Sequence, residues 1–117
     1  MVRLESLKKS YQFKKTLKEK RIHSEFFSIF ATKNFFQPEN KSSLLISFVM
    51  KKKIGNAVKR NKIRRKLKAI VQKLLKKRGA ISKDYTYIVL GKSNAYTQKQ
   101  TVLMPVMEKC FNKLRYK

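Results

Sequence analysis

Hydrophobic and polar positions along this chain follow two periods, which predict a mixture of helices and strands. Apolar positions recurring at steps of three and four are typical of helices, and short apolar or aromatic runs between turn residues are typical of strands. The predicted helices lie at 11–19, 56–78 and 98–116, and the predicted strands at 24–32, 44–50 and 84–90. This order indicates an α+β fold in a single domain, residues 1–117, with a flexible basic arm at 1–9.

The longest predicted helix carries a continuous apolar stripe and recognisable ends. At about 100° per residue, five apolar side chains fall on one face of this helix and are expected in the core. They are Ile63, Leu67, Ile70, Val71 and Leu74. Asn56 is the predicted N-cap, and Gly79 is the predicted left-handed residue that follows the cationic last turn.

The first two predicted strands differ in how their faces are used. In the first strand, period two places Phe27 and Ile29 on the core face, with Phe26, Ser28 and Phe30 on the other face. The second strand, LLISFVM, is apolar enough to be buried on both faces.

Turn and helix-breaking residues set the remaining boundaries. Ser10 is the expected N-cap of the first helix, and residues 37–43, QPENKSS, predict a turn. Pro105 either starts the main body of the last helix or kinks it.

The charge composition says more about the expected binding partner than the hydrophobic pattern does. Thirty-one Lys and Arg against six Asp and Glu give a net charge of +25, and no carboxylate lies between Glu39 and Asp84. Hydrophobic residues make up 42% of the chain, so the composition is globular rather than disordered. Self-repulsion at this charge destabilises an isolated fold, and a polyanion is therefore the expected partner.

The cations of the long helix form a line beside the apolar stripe. Arg60, Arg64 and Lys68 follow one another at intervals of four residues, about 6 Å apart along the axis. Asn61 and Arg65 lie next to that line. Guanidinium groups bind phosphate oxygens bidentately, and an Asn can bond to sugar or base edges. A helix that is merely solvated normally interleaves Glu with Lys, and this one does not, which favours a phosphate-binding surface.

The turn before this helix extends the same surface. Lys51, Lys52 and Lys53 precede Gly55, which permits a close approach of the backbone. Asn56 then opens the helix, whose free N–H groups attract an anion.

The single cysteine and the first residues bear on the cellular setting. Cys110 cannot form an intramolecular disulfide and is expected to be a half-buried apolar residue on the last helix, which favours a reduced, cytoplasmic location. The first ten residues lack the apolar segment of a signal peptide, and LLISFVM is too short to cross a bilayer.

No set of residues predicts catalysis by the chain itself. His23 is the single histidine and is expected at the surface or in contact with RNA. The six carboxylates are scattered without metal-ligand spacing, and neither a zinc pattern nor a glycine-rich phosphate loop is present. We therefore predict no catalytic residue and no metal site in this chain.

The segment KKKIGNAVKRNKIRRKLKA, residues 51–69, resembles the signature of the bacterial ribonuclease P protein component. In that family a Lys-Lys-Ile/Val-Gly-Asn-Ala-Val run, here residues 52–58, precedes an Arg-Asn pair and two basic residues. The matching residues here are Arg60, Asn61, Arg64 and Arg65. LKKSYQFKKTL and KDYTYIVLGK are similar to the family's opening helix and later strand, so the likeness covers most of the chain.

The chain departs from that family at three positions. Leu17 stands where a second aromatic residue is common, and Lys20 lies near the usual position of a glycine. Lys51 stands where a serine usually precedes the two lysines. The first two departures weaken any transfer of residue roles to the first helix and to the bend after it.

The resemblance implies an α-β-β-β-α-β-α sandwich akin to RNA-binding domains of ribosomal proteins and translation factors. It also implies a left-handed βαβ crossover around the long helix, against the general rule. The residues themselves indicate three strands, and a further family strand would come from a split of the 21–50 region.

The resemblance also implies a role, that of the protein subunit of the ribonucleoprotein that removes the 5′ leader of precursor tRNA. Catalysis would belong to the RNA subunit, with Mg²⁺ expected mainly there. Ribonuclease P RNA and precursor tRNA would be the partners, with no membrane and no protein partner required. The implied RNA-subunit-binding residues are Lys52, Lys53, Asn56, Arg60, Asn61, Arg64, Arg65 and Lys68.

Three apolar residues are expected in a leader-binding cleft between the first helix and the sheet. Phe13, Leu17 and Phe30 are the candidates, because aromatic faces stack on unpaired bases without reading sequence. Ordinary core packing is the alternative for each of them.

Two other functions remain possible from the residues. One is a ribosomal or other structural RNA-binding protein, in which the same helix would contact ribosomal RNA. The other is a basic amphipathic protein that lies on a membrane surface or serves as a helical target. The strands and further helices require a real core, which disfavours the second.

Overall fold

The computed structural model describes residues 3–33, 43–77, 79–82 and 84–115. Its helices are α1 (Ser10–Lys18), α2 (Ala57–Leu75) and α3 (Gln100–Arg115). Its strands are β1 (Arg3–Glu5), β2 (Lys20–His23), β3 (Phe27–Lys33), β4 (Ser43–Met50) and β5 (Tyr85–Gly91). Short 3-10 turns follow β4 and β5, at Lys52–Ile54 and Ser93–Tyr96. The α+β class predicted from the sequence is confirmed.

The five strands form one mixed sheet in the order β1-β4-β5-β3-β2. β4 runs parallel to both β1 and β5, whereas β3 is antiparallel to β5 and β2. β4, α2 and β5 therefore form a βαβ unit between neighbouring strands, and the left hand of its crossover stays a prediction. Leu44, Leu45 and Ile46 are all buried, as expected for a strand that is covered on both faces.

The main core lies between the sheet and the helices α2 and α3. The five residues of the predicted stripe are each 0% exposed: Ile63, Leu67, Ile70, Val71 and Leu74. Phe27 and Ile29 join this core from β3, as predicted. Gly91 brings α2 close to the sheet, since an added Cβ would lie 2.6 Å from Met50 Sδ and 3.0 Å from Ile63 Cγ2.

The opposite face of the sheet is covered by α1, which packs across β2, β3 and β5. Thr16 is fully buried in this layer, and its hydroxyl donates to the Gln12 carbonyl at 2.7 Å. Ser28 is also buried on this side of β3. This layer therefore contains buried hydroxyl groups, whereas the main core consists of hydrophobic residues.

The N-terminal segment differs from the flexible arm that was predicted. Arg3–Glu5 form β1 beside Ser43–Leu45 of β4, and Leu7 is buried with its N–H donating to Ser47 Oγ at 2.8 Å. Without β1, β4 would be an edge strand with unpaired backbone N–H and C=O groups. The N-terminal segment pairs with these groups. The predicted arm is therefore wrong for residues 3–7, while residues 1–2 lie outside the described ranges.

The start of α1 is also built differently from the prediction. Lys9 occupies the N-cap position and Ser10 is the first helical residue, so the predicted Ser10 cap is wrong. Gln12 supplies the local hydrogen bonds instead, because its Oε1 accepts from the backbone N–H groups of Lys8 at 2.9 Å and Lys9 at 3.0 Å.

Other boundaries shift by a few residues. α2 ends at Leu75, before the predicted end, while Gly79 has the expected positive φ of 77°. Pro105 lies inside α3 and does not start it. Lys20–His23 form the strand that the residues alone did not reveal, since it is a short edge strand with alternating exposure and three basic residues. The turn predicted at 37–43 lies mostly outside the described residues.

Candidate nucleic-acid interface

The start of α2 is fixed by a cap and by a glycine. Asn56 Oδ1 accepts the Lys59 backbone N–H at 2.9 Å, so the predicted N-cap is confirmed. Gly55 has φ 153° and ψ −161°, a conformation that side-chain-bearing residues rarely adopt. Lys52 and Lys53 stand exposed in the 3-10 turn just before it. The turn therefore presents cations beside the N-terminal end of α2, which favours an anion.

One side of α2, here called the arginine side, consists of Arg60, Asn61, Arg64, Arg65 and Lys68. Arg64, Arg65, Asn61 and Lys68 are exposed, and Arg60 is half-buried. Arg64 Nη1 donates to Asn61 Oδ1 at 2.6 Å, and Arg60 Nε donates to the Asn56 carbonyl at 3.5 Å. No carboxylate among the described residues lies within ion-pairing distance of the three arginines. The charges of the three arginines are therefore not neutralised by carboxylates of the described residues.

The opposite side of α2, here called the lysine side, consists of Lys59, Lys62, Lys66 and Lys73. The ammonium groups of Lys59 and Lys62 lie 5.0 Å and 5.1 Å from the centre of the Tyr96 ring. Lys73 Nζ donates to Gln100 Oε1 at 2.8 Å, at the start of α3. Lys59 and Lys62 thus contact the segment between β5 and α3, and Lys73 contacts the start of α3, although Lys62 and Lys73 are themselves exposed.

Lys66 makes the densest set of contacts on the lysine side. Its ammonium group donates to the backbone carbonyls of Ala95 at 3.3 Å and Gln98 at 2.8 Å, and also to that of Tyr96. Desolvation by burial, with a smaller contribution from the nearby charge of Lys62, lowers the pKa of Lys66 below its ordinary value. Sequence reasoning did not single out this residue, because its acceptors lie 29 to 32 residues away in the chain.

The expected leader-binding residues lie on the face of the sheet that carries α1. Leu17 is 43% exposed, and Phe13 and Phe30 are half-buried outside the main core. Phe30 packs edge-to-face against His23, with ring centroids 6.1 Å apart. His23 Nδ1 is hydrogen-bonded to Ser28 Oγ at 2.6 Å. His23 therefore lies between Phe30 and Ser28 on this face, a position that the sequence alone did not suggest.

Phe13 also lies next to the arginine side. It lines a cavity of about 270 Å³ that Arg64 and Lys68 reach from α2 and that Ser47 and Phe48 line from β4. Two groups that the sequence suggested separately, the aromatic residues of α1 and the cations of α2, thus meet at one edge of the sheet. Lys52 and Lys53 lie apart from this cavity, at the other end of the surface.

Other types of site receive no support from the described residues. Among them, no three His, Cys, Asp or Glu side chains are grouped so that they could hold a metal ion. In the same ranges, no helix has the length and apolar character that crossing a membrane requires. Cys110 is buried, and burial raises the pKa of its thiol.

The mixed sheet, the capped cationic helix and the cavity beside Phe13 define a small basic α+β protein with a surface suited to a polyanion. The sequence model of the Ribonuclease P family matches residues 1–115. The chain belongs to the family of bacterial ribonuclease P protein components. It is thus a component of an RNA-processing enzyme, and a ribonuclease P RNA is the partner that membership implies.

Individual relatives agree with this assignment. The chain is 32% identical over 94 residues to the ribonuclease P protein component of Streptococcus pneumoniae, covering 78% of this chain and 73% of the relative. It is 26% identical over 109 residues to that of Mycoplasma capricolum, covering 93% and 94%. The solved RNase P protein of Thermotoga maritima has the same fold, with a TM-score of 0.68, 24% identity and 97% coverage of both chains.

Proposed function

We propose that this chain binds the ribonuclease P RNA through the arginine side of α2 and through Lys52 and Lys53 in the 3-10 turn before this helix. The 5′ leader of precursor tRNA would lie in the cleft beside α1. Catalysis would belong to the RNA subunit, with Mg²⁺ expected mainly there, and the product would be tRNA with a mature 5′ end. The protein's own residues would bind and orient the two RNA molecules.

The observation that supports this proposal is the asymmetry of α2. Arg60, Arg64 and Arg65 are not neutralised by carboxylates of the described residues, whereas Lys66 and Lys73 on the other side donate to groups of the protein. If the basic residues were merely solvated, the two sides of the helix should have similar partners. Instead, the lysine side donates to distant parts of the fold, while the bonds of Arg60 and Arg64 stay within α2 and its N-cap. Guanidinium groups arranged in this way match phosphate oxygens of a folded RNA.

The shared cavity suggests how the two RNA contacts could act together. Phe13 faces it from α1, while Arg64 and Lys68 reach it from α2. An unpaired base stacked at Phe13 would then have its phosphate close to cations that also contact the RNA subunit. The protein would hold the leader and the ribozyme side by side, and its positive charge would reduce the Mg²⁺ concentration needed for assembly.

Reconstitution tests this proposal directly. The protein is mixed with a ribonuclease P RNA and a precursor tRNA at a Mg²⁺ concentration too low for the RNA alone to cleave efficiently. We expect the protein to raise the rate of cleavage at the mature 5′ end. Unchanged cleavage would contradict the proposal and would favour a structural RNA-binding protein of another ribonucleoprotein.

A further inference from the structure

A pocket at the carboxyl ends of β4 and β5 adjoins the turn before α2, with which it shares Lys53, and is separate from the cavity beside Phe13. These parallel strands are in register at Met50 and Gly91, so the chain leaves both of them at the same edge of the sheet. The segments that follow enclose a pocket of about 380 Å³. Ligands commonly bind outside the carboxyl ends of parallel strands, and pockets of this volume accept small molecules.

The pocket combines an apolar floor with a cationic rim. Ile54 and Leu90, both half-buried, provide the apolar surface. Lys51, Lys53 and Lys92 line the rim, and no carboxylate of the described residues is part of the lining. A nucleotide has the complementary chemistry, since its base has two apolar faces and its phosphate is anionic.

The rim is organised by contacts within the protein. Lys92 Nζ donates to the Ser24 carbonyl at 2.6 Å, which positions the ammonium group and leaves it two further N–H donors. Ser93 Oγ, also part of the lining, accepts from Lys59 Nζ at 3.3 Å. Lys59 is thereby a fourth lysine beside the rim, and the combined positive charge of the four lysines favours an anion.

We propose that this pocket binds one unpaired nucleotide of the ribonuclease P RNA, with its base on Ile54 and Leu90 and its phosphate among Lys51, Lys53 and Lys92. This inference rests on the function proposed above. The RNA subunit is the favoured source because Lys53 and Ile54 lie in the turn that leads directly into α2. An RNA strand along the arginine side therefore has only to pass the start of that helix to reach the pocket.

Filling the pocket tests this proposal. Ser93→Trp places an indole ring at an exposed position of the lining, and Asn94→Trp, at the adjacent exposed residue outside the lining, is the matched control. With the full chain and transcribed ribonuclease P RNA, we expect Ser93→Trp to raise Kd about tenfold, as the loss of one seated base does. Asn94→Trp should stay within about twofold of the unmodified protein, as exposed substitutions do.

The outcomes separate this proposal from the function on which it rests. If the unmodified protein binds the RNA and Ser93→Trp binds equally well, the pocket proposal is wrong while the proposed function stands. If the unmodified protein does not bind ribonuclease P RNA, both are wrong.

Crosslinking identifies the nucleotide and still applies if Ser93→Trp does not fold. Ser93→Cys is labelled with a thiol-reactive aryl azide, which Cys110 largely escapes because it is 6% exposed. In the enzyme reconstituted with precursor tRNA, we expect crosslinks to one or two neighbouring unpaired nucleotides of the RNA subunit. Crosslinks to the precursor leader, to a base-paired segment or scattered widely would overturn the proposal. Lys76→Cys, at the far end of α2, serves as the labelled control.

Discussion

The two sides of α2 carry similar numbers of cations but are used in different ways. On the arginine side, Arg64 donates to its helix neighbour Asn61 through an exposed bond of 2.6 Å, and Arg65 is exposed. On the lysine side, Lys66 donates to three backbone carbonyls and Lys73 to Gln100. Charge alone would not distinguish these sides, but their partners do.

The difference indicates that the basic residues of one helix have two kinds of surroundings, which we interpret as two separate uses. Lysine ammonium groups reach carbonyl oxygens on flexible stems, which suits them to fastening the segment that links β5 to α3. Arginine guanidinium groups are planar and remain charged, which suits them to a phosphate backbone. We therefore expect substitutions on the arginine side to affect RNA binding and those on the lysine side to affect stability.

The largest effect is expected from removing the three arginines together. Replacing Arg60, Arg64 and Arg65 with Ala should weaken binding to ribonuclease P RNA by about 100-fold. The slope of log K against log salt concentration should fall in magnitude by about 2, because binding releases fewer counterions when fewer phosphates are contacted. Because Arg64 and Arg65 are exposed and Arg60 is half-buried, the free energy of unfolding should change by no more than about 1 kcal/mol. Filter binding over a salt series and urea unfolding measure the two quantities.

A variant with the same loss of charge serves as the control for the arginines. Lys76, Lys99 and Lys109 are exposed and lie away from the arginine side, and their replacement with Ala should reduce affinity by less than about tenfold. If both triple variants lose the same affinity, net charge rather than the arginine side governs binding.

A smaller effect is expected at the cavity that adjoins the arginine side. Phe13→Ala should reduce the preference for precursor over mature tRNA by about tenfold, through the loss of one stacked base. Tyr11→Ala changes a 61% exposed aromatic residue of the same helix and should leave this preference unchanged. Equal weakening for both tRNAs in Phe13→Ala would assign Phe13 to core packing instead.

On the lysine side, the expected effect is on stability. Lys66→Met keeps much of the aliphatic length but removes the donor to three carbonyls, and should lower the free energy of unfolding by about 1 kcal/mol. Lys62→Met removes a cation–π contact and a like charge near Lys66, and should cost less than about 0.5 kcal/mol. Urea unfolding measures both, and a large loss of RNA affinity in a folded Lys66→Met protein would contradict the division between the two sides.

The smallest effect concerns pH. Because burial lowers the pKa of Lys66 in the folded protein, the unfolded chain binds more protons at this residue over the pH range just below its ordinary pKa of 10.5. Its contribution to stability should therefore rise as pH rises through that range. The difference in unfolding free energy between the unmodified protein and Lys66→Met should grow with pH. A difference that is flat or falls would show that the charged form is not disfavoured by folding.

Much of the candidate site could be predicted because it depends on local order. The four-residue interval that aligns Arg60 with Arg64 follows from helix geometry, and the cap at Asn56 needs only Lys59. The positions of the aromatic side chains on the α1 face of the sheet were less predictable. Whether Phe13 and Phe30 were core or surface depended on how α1 sits on the sheet, and His23 gained its place only through Phe30 and Ser28.

By itself, the sequence determined the α+β class, the buried stripe of α2, the excess of positive charge and the family signature, since these follow from composition and from periods of two and about 3.6 residues. Tertiary structure alone decided that Lys66 is bonded while Arg65 is exposed, that Phe13 shares a cavity with Arg64, and that residues 3–5 complete the sheet. The reason is physical. Contacts between residues far apart in the chain depend on how the helices and the sheet pack together. A local sequence pattern carries no information about which distant residues come into contact.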